Sequence, residues 1–215
     1  MGFRGNFLGI AGSVLLFVVG AAGQSSITVL VNDSAGVGRD VLEKAEMEAS
    51  RLFEDAGIWI RWEHCNETDA CRRRLLRDEF VLHIVPSGKT QSEFVFGEAF
   101  LGEDGRGQYS DVFFDRIQLA PENIDVARML GVVAAHELGH LLLGSRAHSH
   151  IGIMEPIWGK STIRRVGMGT LLFTPDQARL MRRRIGENDR IPIRPFPKTD
   201  RDFGLLSSST PGLRF

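Results

Sequence analysis

The chain has 215 residues, a formal charge of −1, 43% hydrophobic residues and 25% charged residues. That balance suits one globular domain with a substantial core and excludes wholesale disorder. A charge so close to zero gives no support for a nucleic-acid partner, and the late basic run Arg182-Arg183-Arg184 reads as a solvated helix end.

At the N-terminus Arg4 precedes an uncharged apolar run from Phe7 to Val19. Gly20-Ala21-Ala22-Gly23 then supplies the small residues that a signal peptidase requires. Residues 1–23 are therefore expected to be a signal peptide, leaving an exported (secreted or periplasmic) chain of about 190 residues. A retained membrane anchor is the alternative, because the 17 residues from Phe7 to Gly23 reach the short edge of a bilayer span. With cleavage, a monomer without stable membrane association is expected.

The first strand candidate is the β-branched run Ile27 to Asn32, followed by a loop from Asp33 to Gly36. From Asp40 to Ala56, Val41, Leu42, Ala45, Ala49, Leu52 and Phe53 recur at helical spacing, and Gly57 stops the helix. Ile58 to Trp62 alternates as a second strand and runs into a loop holding the two cysteines, Cys65 and Cys71. An oxidising compartment favours a disulfide between them, provided the backbone brings their Cα atoms within about 6 Å. The alternative, a thiolate metal ligand beside His64, lacks a second Cys-x-x-Cys half. Phe80 to Val85 is a third strand, in which His83 reads as a satisfied structural histidine.

Two shorter strands, Phe94 to Leu101 and Gln108 to Phe114, flank the glycine-rich turn from Gly102 to Gly107. The acids Glu103, Asp104, Asp111 and Asp115 match no calcium-loop spacing and read as solvated. A long helix from about Asn123 to Leu143 is apolar nearly all round and so belongs inside the fold. Irregular sequence is expected to about Gly169. Thr174 then caps a last helix starting at Pro175, and a flexible tail is expected over 187–215. This order predicts an α+β fold with one domain over residues 24–186. A twisted mixed sheet of about five strands would pack on the first helix and the long helix, with a C-terminal helix beside them.

The long helix carries His136-Glu137-Leu138-Gly139-His140. Residues four apart lie one turn above each other on one helix face, so two imidazoles can grip a metal without bending the backbone. Glu137 is then placed as general base toward a water on that metal. A catalytic zinc takes three protein ligands and keeps a fourth position for water, whose pKa falls toward about 7. The helix must end before a third ligand can approach, and Gly144 is placed to end it. His148 leads as that ligand, with His150 as the alternative. Burying two histidines and a glutamate in an apolar helix with no metal would be costly, which argues against a chance match.

The run from His136 through Gly144, His148 and Ser149, followed by Gly152-Ile153-Met154-Glu155-Pro156-Ile157-Trp158, resembles the metzincin zinc peptidases, the matrixin branch in particular. Those enzymes carry H-E-x-x-H-x-x-G-x-x-H and a methionine turn beneath the metal. The resemblance implies an α/β-type catalytic domain and an endopeptidase with one zinc ion on His136, His140 and His148. It makes Met154 the turn methionine, and Pro156 and Trp158 walls of a specificity pocket. It also implies that the strand holding Gly97 and Ala99 pairs with an extended peptide or protein substrate. The match is sharp over residues 130–160 and architectural elsewhere.

This chain departs from the pattern by one extra residue before Gly144 and another before His148. It lacks the switch-cysteine propeptide, the histidines of a structural zinc site, and a tyrosine after the turn; its single tyrosine is Tyr109. Oxyanion stabilisation would then fall mostly on zinc. A second function class stays open: a non-catalytic exported zinc protein in which His136, His140, His148 and His150 close the site and leave no position for water.

Overall fold

The computed structural model describes residues 25–65, 69–88, 95–119, 124–156 and 158–190. The expected signal peptide and the tail beyond Arg190 lie outside these residues. So do Phe94 and Asn123, where a strand and the long helix were expected to begin.

Five strands, β1 (Ser25–Asp33), β2 (Ile58–His64), β3 (Glu79–Val85), β4 (Gly97–Phe100) and β5 (Tyr109–Phe113), form one sheet in the order β2-β1-β3-β5-β4. β1 pairs in parallel with β2 and β3, and β3 in parallel with β5. β4 closes one edge antiparallel to β5. The expected α+β fold with a mixed five-stranded sheet is thus the fold observed. β1 lies inside the sheet and is buried on both faces from Ile27 to Val31, which explains its nearly unbroken apolar run. β2, at the far edge, alternates buried Ile58 with exposed Trp59.

Two helices, α1 (Arg39–Asp55) and α3 (Val126–Leu143), pack against each other over one sheet face. α1 buries Leu42, Ala45, Ala49, Leu52 and Phe53, a single stripe at helical spacing. In α3 only Val126 and Arg128 escape burial. By length and composition α3 could cross a bilayer, yet here it is the core helix. Asp125 caps its start by accepting from the Arg128 amide at 3.0 Å. Gly144 ends it at φ 61°, a left-handed conformation that glycine adopts without strain.

The last helix, α5 (Pro175–Arg190), starts as expected at Thr174. The Gln177 amide donates to Thr174 Oγ1 at 3.3 Å and the Thr174 amide to Gln177 Oε1 at 2.8 Å, a reciprocal capping box. Cys65 and Cys71 are disulfide-bonded with Cα atoms 5.3 Å apart, which removes the thiolate-ligand alternative.

Three expectations need correction. The stretch expected to be irregular up to Gly169 contains a helix, α4 (Lys160–Gly167). It buries Thr162 and Val166 with Ile163 half-buried, an apolar face that spans only eight residues and so stands out little in sequence. A short helix, α2 (Phe114–Gln118), begins where the last strand was expected to finish. The basic run on α5 is also not simply solvated. Arg182 donates to Ala56 O at the end of α1, and Arg184 to Leu143 O at the end of α3 at 2.9 Å. Two residues of one charge run thus satisfy the terminal carbonyls of two other helices.

Candidate metal centre

Placing His136 and His140 one turn apart on a buried helix brings their Nε2 atoms to 3.1 Å. Each Nδ1 faces a backbone carbonyl: His136 to Ile153 O at 2.7 Å and His140 to Ser145 O at 2.8 Å. A carbonyl can only accept, so both Nδ1 atoms carry the proton and both Nε2 atoms are bare lone pairs. Burial, chiefly, lowers the His136 pKa to about 3 against the opposing pull of the Ile153 carbonyl. Burial likewise lowers that of His140. Neither ring therefore takes a second proton near neutrality, and two lone pairs confront each other in a buried space. A divalent cation accepting both resolves that confrontation, so this donor set fits zinc.

His148 joins the pair. Its ring centroid lies 4.8 Å from that of His140 and 5.5 Å from that of His136. One ligand atom from each of the three falls within 4.8 Å of the others. His150 is not in this group, so among the described residues the closed four-histidine arrangement is not assembled. The extra residues flanking Gly144 are absorbed by a helix running to Leu143 and a non-helical segment from Ser145 to Ser149. Met154 is buried, and its sulfur would lie 2.8 Å from a Cβ on Gly139, directly against the histidine helix.

Glu137 points toward β4 and has no hydrogen-bond partner among the described residues. Burial, with a lesser push from Glu98, raises its pKa to about 8. A Cβ on Gly97 would fall 2.7 Å from Glu137 Cγ and 2.8 Å from Oε1, so the bare glycine of β4 makes room for the carboxylate. A cleft of about 250 Å³ opens here, lined by the three histidines, Glu137 and the four residues expected to meet substrate: Gly97, Ala99, Pro156 and Trp158.

Several lining residues were not singled out from sequence. Phe96 stacks on Trp158 across the cleft with centroids 5.9 Å apart. Arg146 donates to Leu101 O and joins the histidine loop to the strand side. Glu155 accepts from Thr162 Oγ1 at 2.6 Å and Arg165 at 3.0 Å, fastening the loop that holds Met154 to α4. Arg146 lies inside the elongated motif, and that position was a usable signal. The other two depend on α4 and on a cross-cleft stack that no local spacing encodes.

A second constellation lies away from the cleft. Ser34 Oγ is 2.8 Å from His83 Nε2, and Asp111 Oδ1 is 3.4 Å from His83 Nδ1. His83 is indeed partnered, as expected.

No protein-family model matches this chain, and no curated protein does. Among solved structures it is similar to a zinc-dependent peptidase from Methanocorpusculum labreanum (strain Z), at 14% identity and a TM-score of 0.48. That match covers 72% of this chain and 99% of that one.

Proposed function

We propose that this chain is an exported, monomeric zinc-dependent endopeptidase of metzincin type that cleaves extended peptide or protein substrates. In this reading residues 1–23 are the signal peptide, 24–186 the catalytic domain and 187–215 a tail, whose first four residues continue α5 rather than leaving it as the sequence suggested. The observation that carries it is the confrontation of two unprotonated imidazole nitrogens 3.1 Å apart, with His148 and a buried carboxylate beside them.

His136, His140 and His148 would hold a single zinc ion. When bound, zinc supplies Lewis acidity, lowering the pKa of water and polarising a carbonyl oxygen. Glu137 takes a proton from the attacking water and returns it to the leaving amine. Its apolar surroundings raise its basicity, and a neighbouring cation tempers that effect. β4 is an edge strand, so it has backbone groups free to pair with an extended peptide, and Gly97 lets that peptide approach Glu137. Phe96, Pro156 and Trp158 receive one apolar side chain beside the scissile bond.

Zinc stoichiometry and casein hydrolysis on residues 24–215 test the reading. One zinc per chain and chelator-sensitive cleavage are expected. Glu137→Ala should keep the zinc and lose activity by roughly 10²–10⁴-fold. Equal activity in that variant and the parent removes Glu137 from the chemistry.

A further inference from the structure

His136 and His140 are aimed by the helix they stand on, whereas His148 is exposed on a segment without regular structure. Something outside that segment must aim the third imidazole. The candidate is Gln177, which lies 28 positions beyond Ser149, in the first turn of α5.

Its amide orientation is fixed by its partners. The Thr174 N–H can only donate, so the atom 2.8 Å from it is Gln177 Oε1. Nε2 is left to donate, and it meets Ser149 Oγ at 3.1 Å. Having accepted, that hydroxyl donates to Ile151 O at 2.7 Å, while the Ser149 N–H donates to Met154 O at 2.8 Å. Ser149 is bonded directly to His148. In the same loop Ile153 O receives His136 Nδ1 at 2.7 Å, and the Ile153 N–H donates to Leu172 O at 2.9 Å, just before α5. Each donor and acceptor here has one permitted direction: the bonds from Gln177 reach the residue next to His148, and the same loop receives His136.

We infer that Gln177 is a positioning residue for the metal centre: through Ser149 it holds the His148 loop against the methionine turn before any ion arrives. The inference rests on the zinc-site reading above. A loop left free would have to be ordered by the ion, and that entropy would be lost from the binding affinity.

Gln177→Glu separates the two roles of the side chain. Glutamate serves a capping box as well as glutamine, so the Thr174 N–H keeps its acceptor. The donor to Ser149 is lost. A carboxylate oxygen in its place can only accept, so the Ser149 hydroxyl must leave Ile151 O to meet it.

On residues 24–215, zinc affinity is measured by chelator competition, cobalt(II) coordination by visible absorption, and zinc-free stability by thermal unfolding. Expected for Gln177→Glu are an unchanged zinc-free melting temperature, zinc affinity lowered about 10–100-fold, and an altered cobalt spectrum. Ser149→Ala should lower affinity in the same range, and the double variant should add little to either change. Parental affinity and cobalt spectrum in both single variants overturn the inference, leaving the zinc site intact. So does a loss of affinity accompanied by an equivalent loss of zinc-free stability. A parent chain that binds no zinc overturns the metal reading and this inference together.

Discussion

His83 on β3 and His136 on α3 each meet polar partners, and they serve opposite faces of the same sheet. Side chains alternate along β3, so His83 lies on the face away from Leu82 and Ile84, which pack under α1 and α3. With Ser34 at 2.8 Å and Asp111 at 3.4 Å it reproduces the order of a serine hydrolase triad. The surroundings differ. The Ser34 amide is committed to Ile84 O, and those of Ala35, Gly36 and Val37 all donate to the Asp33 carboxylate, leaving none of these amides for an oxyanion. His83 and Asp111 are 32% and 29% exposed, so water screens their attraction. Around His136 the balance is reversed: two bare lone pairs and a carboxyl with no hydrogen-bond partner among the described residues lie buried along the wall of a cleft. Suitable residue types in suitable order occur on both faces, and unspent bonding capacity on buried side chains occurs on one.

Removing an imidazole from the buried face should produce the largest effect. His140→Ala is expected to weaken zinc binding by on the order of 10³-fold, a share of the roughly 10–16 kcal/mol a zinc site can supply. His83→Ala should retain parental affinity. Chelator competition on both variants checks this, and equal losses would erase the contrast between the faces.

The zinc-free protein should show the next largest effect, in its dependence on pH. The Glu137 pKa is raised from 4.5 to about 8, so its contribution to stability is complete below pH 4.5 and is lost as pH rises through 8. The His136 pKa is lowered from 6.5 to about 3, so its contribution is complete above pH 6.5 and is lost as pH falls through 3. Between pH 4.5 and 6.5 the Glu137 and His136 slopes oppose each other, and His140, also lowered by burial, adds to the histidine side. Glu137→Gln should remove the fall in stability from pH 4.5 to 8, a gain of about 4 kcal/mol at pH 8 that disappears below pH 4.5. Denaturant midpoints across pH in chelator measure it; an unchanged alkaline limb would mean the carboxyl is not desolvated as the fold places it.

Gly97→Ala should act more gently. The added Cβ meets Asp111 O of β5 and Glu137 Cγ, each at 2.7 Å, so the edge of the sheet and the Glu137 carboxylate must both shift. Turnover is expected to fall about tenfold with zinc retained, since small misplacements of a catalytic group are costly. A variant with parental kcat would show that Gly97 serves backbone packing only.

Much of the buried face was legible because its signals are local. The i, i+4 histidines, the glycine that stops α3 and the Thr174 cap each depend on residues within one or two turns. What was not legible joins distant elements. Arg182 and Arg184 read as surface charge because nothing near them in sequence announces two helix ends needing donors. Nothing near Gln177 in sequence announces that its second amide atom reaches Ser149. α4 escaped because its apolar face spans only eight residues, and its fixed points, Thr162 and Arg165, bind Glu155 through side chains.

The smallest expected effect tests the far face on its own terms. With the amides of Ser34 to Val37 all committed, the oxyanion formed when Ser34 attacks an ester finds no donor among them, and His83 has no buried charge to hold it ready. A fluorophosphonate probe should therefore label the parent and Ser34→Ala equally weakly, and casein cleavage should differ by less than about twofold between them. Labelling that vanishes in Ser34→Ala would show a nucleophile working without the shelter that marks the histidine helix, and bonding capacity would no longer separate a working site from a partnered surface.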